Sequence, residues 1–223
     1  MFMELEKSIG YSFNNKKLLE QALTHVSYAN ENHVESNEKL EYLGDSILEF
    51  ITSKYLYLNF PKLKEGELSK VRATVVCENS LYEVAKRHSV YKYIKVGHSE
   101  ESSNGNEKPA ILADSIEAII AALYFDGGLD IAEKFIINNL KEAMKNASAN
   151  VGIKDYKTVL QEKLQINGNV NIEYNIIQEK GPDHNKIFVA EVSLNGKVLA
   201  SGEGNSKKHA EMQAAKKALK NIK

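Results

Sequence analysis

The stretch Ile111-Leu112-Ala113-Asp114-Ser115-Ile116-Glu117-Ala118-Ile119-Ile120-Ala121-Ala122-Leu123 is apolar nearly all round, yet two acids interrupt it. A helix hydrophobic on every side belongs in the middle of a protein. Asp114 and Glu117 are three residues apart, so they share one face of it. Burying an unpaired carboxylate costs several kcal/mol, so this pair must be protonated, salt-bridged or bound to a cation. Any fold this chain adopts has to bury the helix and answer for its two acids.

A second acidic pair sits upstream. Leu40, Leu43, Ile47 and Ile51 form the apolar stripe of a helix that begins at Glu38. At roughly 100° per residue, Glu41 and Asp45 lie about 40° apart on its surface, one turn from each other. Gly44, just before Asp45, lets another backbone or a ligand approach closely. Four carboxylates with no His or Cys at ligand spacing favour a hard cation, Mg²⁺ or Mn²⁺, over zinc. Hydrolysis of a phosphate ester is the natural chemistry of such a site. The competing reading makes these acids solvated, or neutralised by Arg72, Arg87 or lysines. His25 reads as a hydrogen-bonded structural residue, Cys77 as core, and Glu38 and Glu65 as possible extensions of the acidic site.

Apolar residues at helical spacing predict helices over Lys16–Ala29, Glu38–Leu58, Glu65–His88, Ala110–Phe125 and Ile131–Ala147. Asn146–Ile153 is small, polar and aperiodic, and reads as a linker; its eight residues would span about 15 Å if flexible. After it the rhythm changes. Tyr156–Gln165 is helical in pattern, while Asn171–Gln178, Ile187–Leu194 and Lys197–Gly202 alternate as strands do. Asn195-Gly196 is a two-residue hairpin turn, and Ser206 caps a last helix running through Leu219. The expectation is an all-α domain over 1–145, a linker over 146–153, and a small α+β module (αβββα) over 154–223.

Charge divides along the same line. Val151 to Lys223 holds 12 Lys and 8 acids, a net of +4, and the preceding residues carry −5. Ser206, Lys207 and Lys208 at a helix start make a phosphate site. Thr158, Gln161 and Glu162 share one helix face, and Gly181 to Lys186 form a polar loop. Three such contacts suit a nucleic-acid duplex, A-form RNA in particular, though the residues alone do not separate RNA from DNA. One cysteine and no apolar run longer than Ala118–Phe125 point to a soluble cytoplasmic protein with no membrane partner.

Asn37-Glu38-Lys39-Leu40-Glu41-Tyr42-Leu43-Gly44-Asp45-Ser46 closely resembles the signature of ribonuclease III, and Leu112 to Ala118 is similar to that family's second acidic motif. Leu5–Tyr28 and Lys64–Val76 also resemble the bacterial enzyme. Residues 155–221 are similar to the double-stranded-RNA-binding domain, including Gly181-Pro182-Asp183-His184 and the run from Gly202 to Lys208. The resemblance implies a homodimeric all-α endonuclease domain with one active centre per subunit, cutting opposite strands of double-stranded RNA. It implies that Glu41, Asp45, Asp114 and Glu117 hold Mg²⁺, or Mn²⁺ in its place, with Asp45 and Glu117 the catalytic positions. Glu38 and Glu65 match supporting acids. Thr158, Gln161, Glu162, Pro182, Asp183, His184, Ser206, Lys207 and Lys208 match RNA contacts. Products would carry 5′-phosphate and 3′-hydroxyl ends with a short 3′ overhang, from ribosomal RNA precursors and structured messenger or transfer RNAs. Two other readings stay open on the residues: a duplex-RNA-binding protein that does not cut, and an all-helical Mg²⁺ nucleotide pyrophosphohydrolase.

Overall fold

A computed structural model describes residues 2–150, 156–165, 170–181 and 186–222. The chain divides into two compact units, Met1–Val151 and Gly152–Lys223. In the first, α1 (Met3–Ile9), α2 (Lys16–Ala22), α3 (Val26–Asn32), α4 (Glu38–Asn59), α5 (Glu65–Val75), α6 (Glu78–Arg87), α7 (His98–Glu101), α8 (Pro109–Gly127) and α9 (Leu129–Asn150) follow one another. Among the described residues no helix is long and apolar enough to cross a membrane.

α8 is the centre of this unit. Pro109 occupies its first turn, where a missing N–H costs nothing. Eleven of its residues, from Ile111 to Leu123, are buried. Ser115 is among them, and its hydroxyl donates to the Ile111 carbonyl at 2.7 Å, so no polar group is stranded there. α4 lies across α8, burying Leu40, Gly44, Ile47, Leu48, Ile51 and Leu56. The two helices meet at Gly44, where a β-carbon would stand 1.8 Å from the Glu117 carbonyl oxygen. Only glycine permits that approach.

Three helical stretches differ from the sequence expectation. Lys16–Ala29 is broken at Leu23-Thr24-His25. There the Lys95 N–H donates to the Leu23 carbonyl at 2.8 Å, and the His25 N–H donates to the Lys95 carbonyl at 3.0 Å. A bridge to a residue some seventy positions away leaves no local periodic trace. Glu65–His88 is likewise two helices, because Cys77 is extended and starts α6. Cys77 is exposed rather than core, and its Sγ lies 3.2 Å from the Thr74 carbonyl at the end of α5. Finally, α9 runs through Asn150, so 146–150 are helical and not linker. Leu140, Met144 and Ser148 are buried in succession, one helical turn apart, which keeps the helix on the core. Residues 151–153 lie outside the described residues.

The N-terminal arm is tied down by two carboxylates. Glu6, buried on α1, accepts the Phe13 N–H at 2.7 Å and pairs with Lys16. Asp126, at the end of α8, accepts the Asn14 and Asn15 N–H groups at 2.7 and 2.8 Å and the Tyr11 hydroxyl at 2.9 Å.

In the second unit α10 (Tyr156–Gln165) and α11 (Lys207–Asn221) flank an antiparallel sheet of β1 (Ile172–Lys180), β2 (Ile187–Leu194) and β3 (Lys197–Gly204), in that order. Asn195 and Gly196 both have positive φ, as the two-residue turn requires. The core is small: Leu160, Val192, Ala214, Ala215 and Ala218. α11 presses so closely on β3 that a β-carbon at Gly202 would meet the Ala214 nitrogen at 2.2 Å.

Two outcomes follow from this packing. Gly44→Ala should force α4 off α8, costing roughly 2–5 kcal/mol as a core substitution that overpacks a helix crossing; urea unfolding of the variant beside wild type measures it. Burial raises the Glu6 and Asp126 carboxyls, but the N–H donors and Lys16 outweigh it and hold both below their ordinary values of 4.5 and 3.8. Their stabilisation is therefore complete above those values and is lost as pH falls through the depressed folded-state pKa values. Glu6→Gln should flatten the acid limb of a stability-versus-pH curve and leave its slope above pH 6 unchanged.

Candidate active site

Because α4 and α8 touch at Gly44 and Glu117, the side chains flanking that contact converge. Glu41 lies one turn before Gly44, and Asp114 one turn before Glu117. One oxygen from each of Glu41, Asp114 and Glu117 falls within 4.8 Å of the other two, and all three residues are half-buried. Asp45 stands beside this trio, exposed on α4. It exerts the strongest like-charge push on Glu117.

No ion pair neutralises these acids among the described residues. Arg72 donates to Ser53 at 3.0 Å and lies 3.9 Å from Glu49. Arg87 is bonded to Asn139. The electrostatics follow directly. Burial, then repulsion from Asp45, Asp114 and Glu41, lifts the Glu117 carboxyl to about 8. Glu41 is raised by burial and by Asp114, Glu38 and Asp45. Asp114 is raised by burial and Glu78, while His25 acts to lower it. Three carboxylates at this spacing, short of protons or a counter-charge, match the oxygen donor set of a hard divalent cation.

The supporting acids fall differently. Glu38 is exposed in the first turn of α4 and accepts the Ser36 hydroxyl at 2.9 Å. It is close enough to raise Glu41. Glu65 opens α5, accepts the Ser69 hydroxyl at 3.0 Å, and lines an open cavity of about 580 Å³ with Ser53, Tyr57 and Arg72. Ser53 is twelve residues along α4 from Glu41, about 18 Å at 1.5 Å per residue. Within one chain, Glu65 is not part of the acidic trio. One acid that sequence reasoning passed over, Glu78, acts on Asp114 as a like charge, while His25 is hydrogen-bonded, as its sequence reading has it. Glu78 opens α6, and the break at Cys77 that would have exposed it carried no helix-stop signal.

In the second unit, Thr158, Gln161 and Glu162 are exposed on one face of α10, opposite buried Leu160. Ser206 caps α11, its hydroxyl accepting the His209 N–H at 3.2 Å. Lys208 is exposed. Lys207 is engaged within the fold, 3.2 Å from a Glu179 carboxylate oxygen and 5.7 Å from the centre of the Phe188 ring. Its ammonium forms an exposed ion pair with β1. Pro182, Asp183 and His184 lie outside the described residues.

Comparison with known proteins agrees with this architecture. The family model described as Ribonuclease-III-like matches residues 15–144, and that of the double-stranded RNA binding motif matches residues 156–222. Ribonuclease 3 of Clostridium kluyveri is 47% identical over 223 residues, covering 100% of this chain and 91% of that protein. Ribonuclease 3 of Clostridium perfringens is 47% identical over 221 residues, covering 99% of this chain and 93% of its own. Among solved structures, the nuclease domain of ribonuclease III from Campylobacter jejuni superposes with a TM-score of 0.61 at 37% identity, covering 64% of this chain and 98% of that one. With both domains matched in order and close to half of all residues shared along its length, the chain belongs to the ribonuclease III family of double-strand-specific endoribonucleases.

Proposed function

We propose that this protein hydrolyses phosphodiester bonds in double-stranded RNA with Mg²⁺, or Mn²⁺ in its place, leaving 5′-phosphate and 3′-hydroxyl ends with a short 3′ overhang. The observation that carries the reading is the convergence of Glu41, Asp114 and Glu117 on one point without a counter-charge. A divalent cation held there would supply an activated water and stabilise the departing oxygen. The chain's own part is to keep the ligand oxygens in place. Gly44 sets their spacing by letting α4 and α8 touch, and the buried residues of α8 hold the helix that carries Asp114 and Glu117 in place. Asp45, whose charge acts on Glu117, is the fourth acid of the centre. With Glu117 it forms the catalytic pair, while Glu38 gives outer support.

The duplex is gripped by residues 154–223 and cut by residues 1–145. The α10 face of Thr158, Gln161 and Glu162, the segment Pro182-Asp183-His184, and Ser206 with Lys207 and Lys208 contact RNA. Ribosomal RNA precursors and structured messenger and transfer RNAs in the cytoplasm are the substrates. The working form is a homodimer. Tyr42, Phe50 and Tyr57 are 79%, 56% and 73% exposed and fall within about 80° of one another on α4. Such an aromatic stripe calls for a covering surface. The structure from Campylobacter jejuni is itself described as having a region involved in dimer formation.

Cleavage of a labelled perfect RNA duplex, with Mg²⁺ and with chelator, tests the reading. Wild type should cut only with metal, and Glu117→Gln should bind the duplex but not cut it. Turnover at the wild-type rate by that variant would refute the site. Because the Glu117 carboxyl is raised to about 8, ionising it above its ordinary value of 4.5 works against the folded state. Without metal at pH 8, Glu117→Gln should therefore melt a few degrees above wild type, at about 2–4 °C per kcal/mol. Added Mg²⁺ should raise the melting temperature of wild type and leave that of the variant nearly unmoved.

Replacing Lys207 and Lys208 together by Ala should weaken binding to duplexes of any sequence and reduce the log–log salt slope by roughly 1–2. Lys208→Ala should account for more of the change, because Lys207 must first leave Glu179. Filter binding across a salt series reads both; an unchanged slope would place these lysines away from phosphate.

A further inference from the structure

We propose that the C-terminal half of α11 is a second RNA-binding surface, on which Lys216, Lys217 and Lys220 take the phosphates of another helical arm of the RNA whose duplex is gripped at the helix's N-terminal end. The proposal rests on the reading of residues 154–223 as a duplex grip. It narrows the substrate to RNA with more than one arm.

The module pairs its lysines where it can. Lys157 meets Glu211 at 2.7 Å, Lys207 meets Glu179 at 3.2 Å, Lys180 meets Glu203 at 3.8 Å, and Lys163 donates to the Ile222 carbonyl at 2.8 Å. The far half of α11 departs from this. Ala210, Ala214, Ala215 and Ala218 are its buried side, and its one acid, Glu211, is taken by Lys157 of α10. At roughly 100° per residue, Lys216, Lys217 and Lys220 fall within about 100° of one another, outside the arc of the buried alanines. Lys217 and Lys220 are exposed, and among the described residues neither ammonium has an ion pair or hydrogen bond. Lys216 stands 5.4 Å from the centre of the Tyr156 ring and reaches no acid.

Like charges three and four residues apart on a helix repel. The helix dipole favours Lys220, which sits in the last turn, but it fades within that turn and does not account for Lys216 and Lys217. A polyanion supplies the missing counter-charge. A protein partner fits less well, because protein interfaces are depleted in lysine and anchored by aromatic or apolar side chains, and among the described residues α11 exposes no large apolar one. Phosphates held by a helix N-terminus lie beyond its first turn. Lys217 and Lys220 follow Ser206 by 11 and 14 residues, which sets them about 16 and 21 Å back along the axis. A duplex seated at Ser206 and Lys208 leaves these lysines behind it, so the phosphates they take belong to a different arm.

Filter binding of the full-length protein in chelator, across a salt series, tests this with two RNAs. One is a perfect duplex of about 16 base pairs, the length one such domain spans; the other is that duplex joined to a second helical arm. Replacing Lys217 and Lys220 together by Gln should leave the short duplex bound as by wild type. The same variant should bind the two-armed RNA about tenfold more weakly near physiological salt, with the log–log slope reduced by roughly 1–2. Replacing both by Arg, which keeps the charge and the favourable helix end, should restore wild-type binding. Unchanged binding of both RNAs would overturn the proposal and leave a solvated face. Equal losses on both would place these lysines in the duplex grip itself, and tighter binding of the short duplex would assign them to the acidic nuclease unit; either result overturns it. Failure of wild type to bind the short duplex would instead overturn the duplex grip, and this inference with it.

Discussion

The nuclease unit is organised around a contact between two backbones. Where α4 crosses α8, the α-carbon of Gly44 lies against the Glu117 carbonyl, closer than any side chain would permit. Both helices bury their apolar faces at this crossing, so the pair is held from many directions at once. The carboxylates one turn away on either helix then have no freedom to separate. The same contact that completes the core brings like charges together, and the raised carboxyls of Glu41, Asp114 and Glu117 record the cost. A core that tight can hold like charges together at one point, a strain that a bound cation would relieve.

The duplex-binding unit obeys a different economy. Its core is a handful of Ala, Val and Leu side chains under a three-stranded sheet. Stability there depends on close approach of α11 to β3 at Gly202 and on polar links along the edges. Lys157 pairs with Glu211 at 2.7 Å and lies 4.2 Å over the Tyr174 ring. The lysines divide accordingly: Lys157 is part-buried against Glu211 and Tyr174, Lys207 forms an exposed pair with Glu179, and Lys208 is exposed.

Periodicity made much of this legible in advance. An apolar helix interrupted by Asp114 and Glu117, a second helix with Glu41 and Asp45 around a glycine, and an Asn-Gly hairpin are all local patterns, each enforced by the geometry of its own element. The breaks at Thr24-His25 and at Cys77 were not legible, because a bridge to Lys95 and the Thr74 carbonyl decide them. Nor was the length of α9: Ala147 and Ser148 look like linker residues until the core they pack against is known.

Sequence by itself determined the two-part architecture, the identity of the acids and the basic end of the chain, since hydrophobic period, charge and turn chemistry act over a few residues. Tertiary structure alone decided which acids meet. Glu65 and Glu38 look equally eligible along the chain, yet Glu38 reaches Glu41 while Glu65 faces a cavity near the other end of α4. Proximity between residues more than seventy positions apart, such as Glu41 and Asp114, comes from helix crossing, and no local pattern encodes where two helices cross.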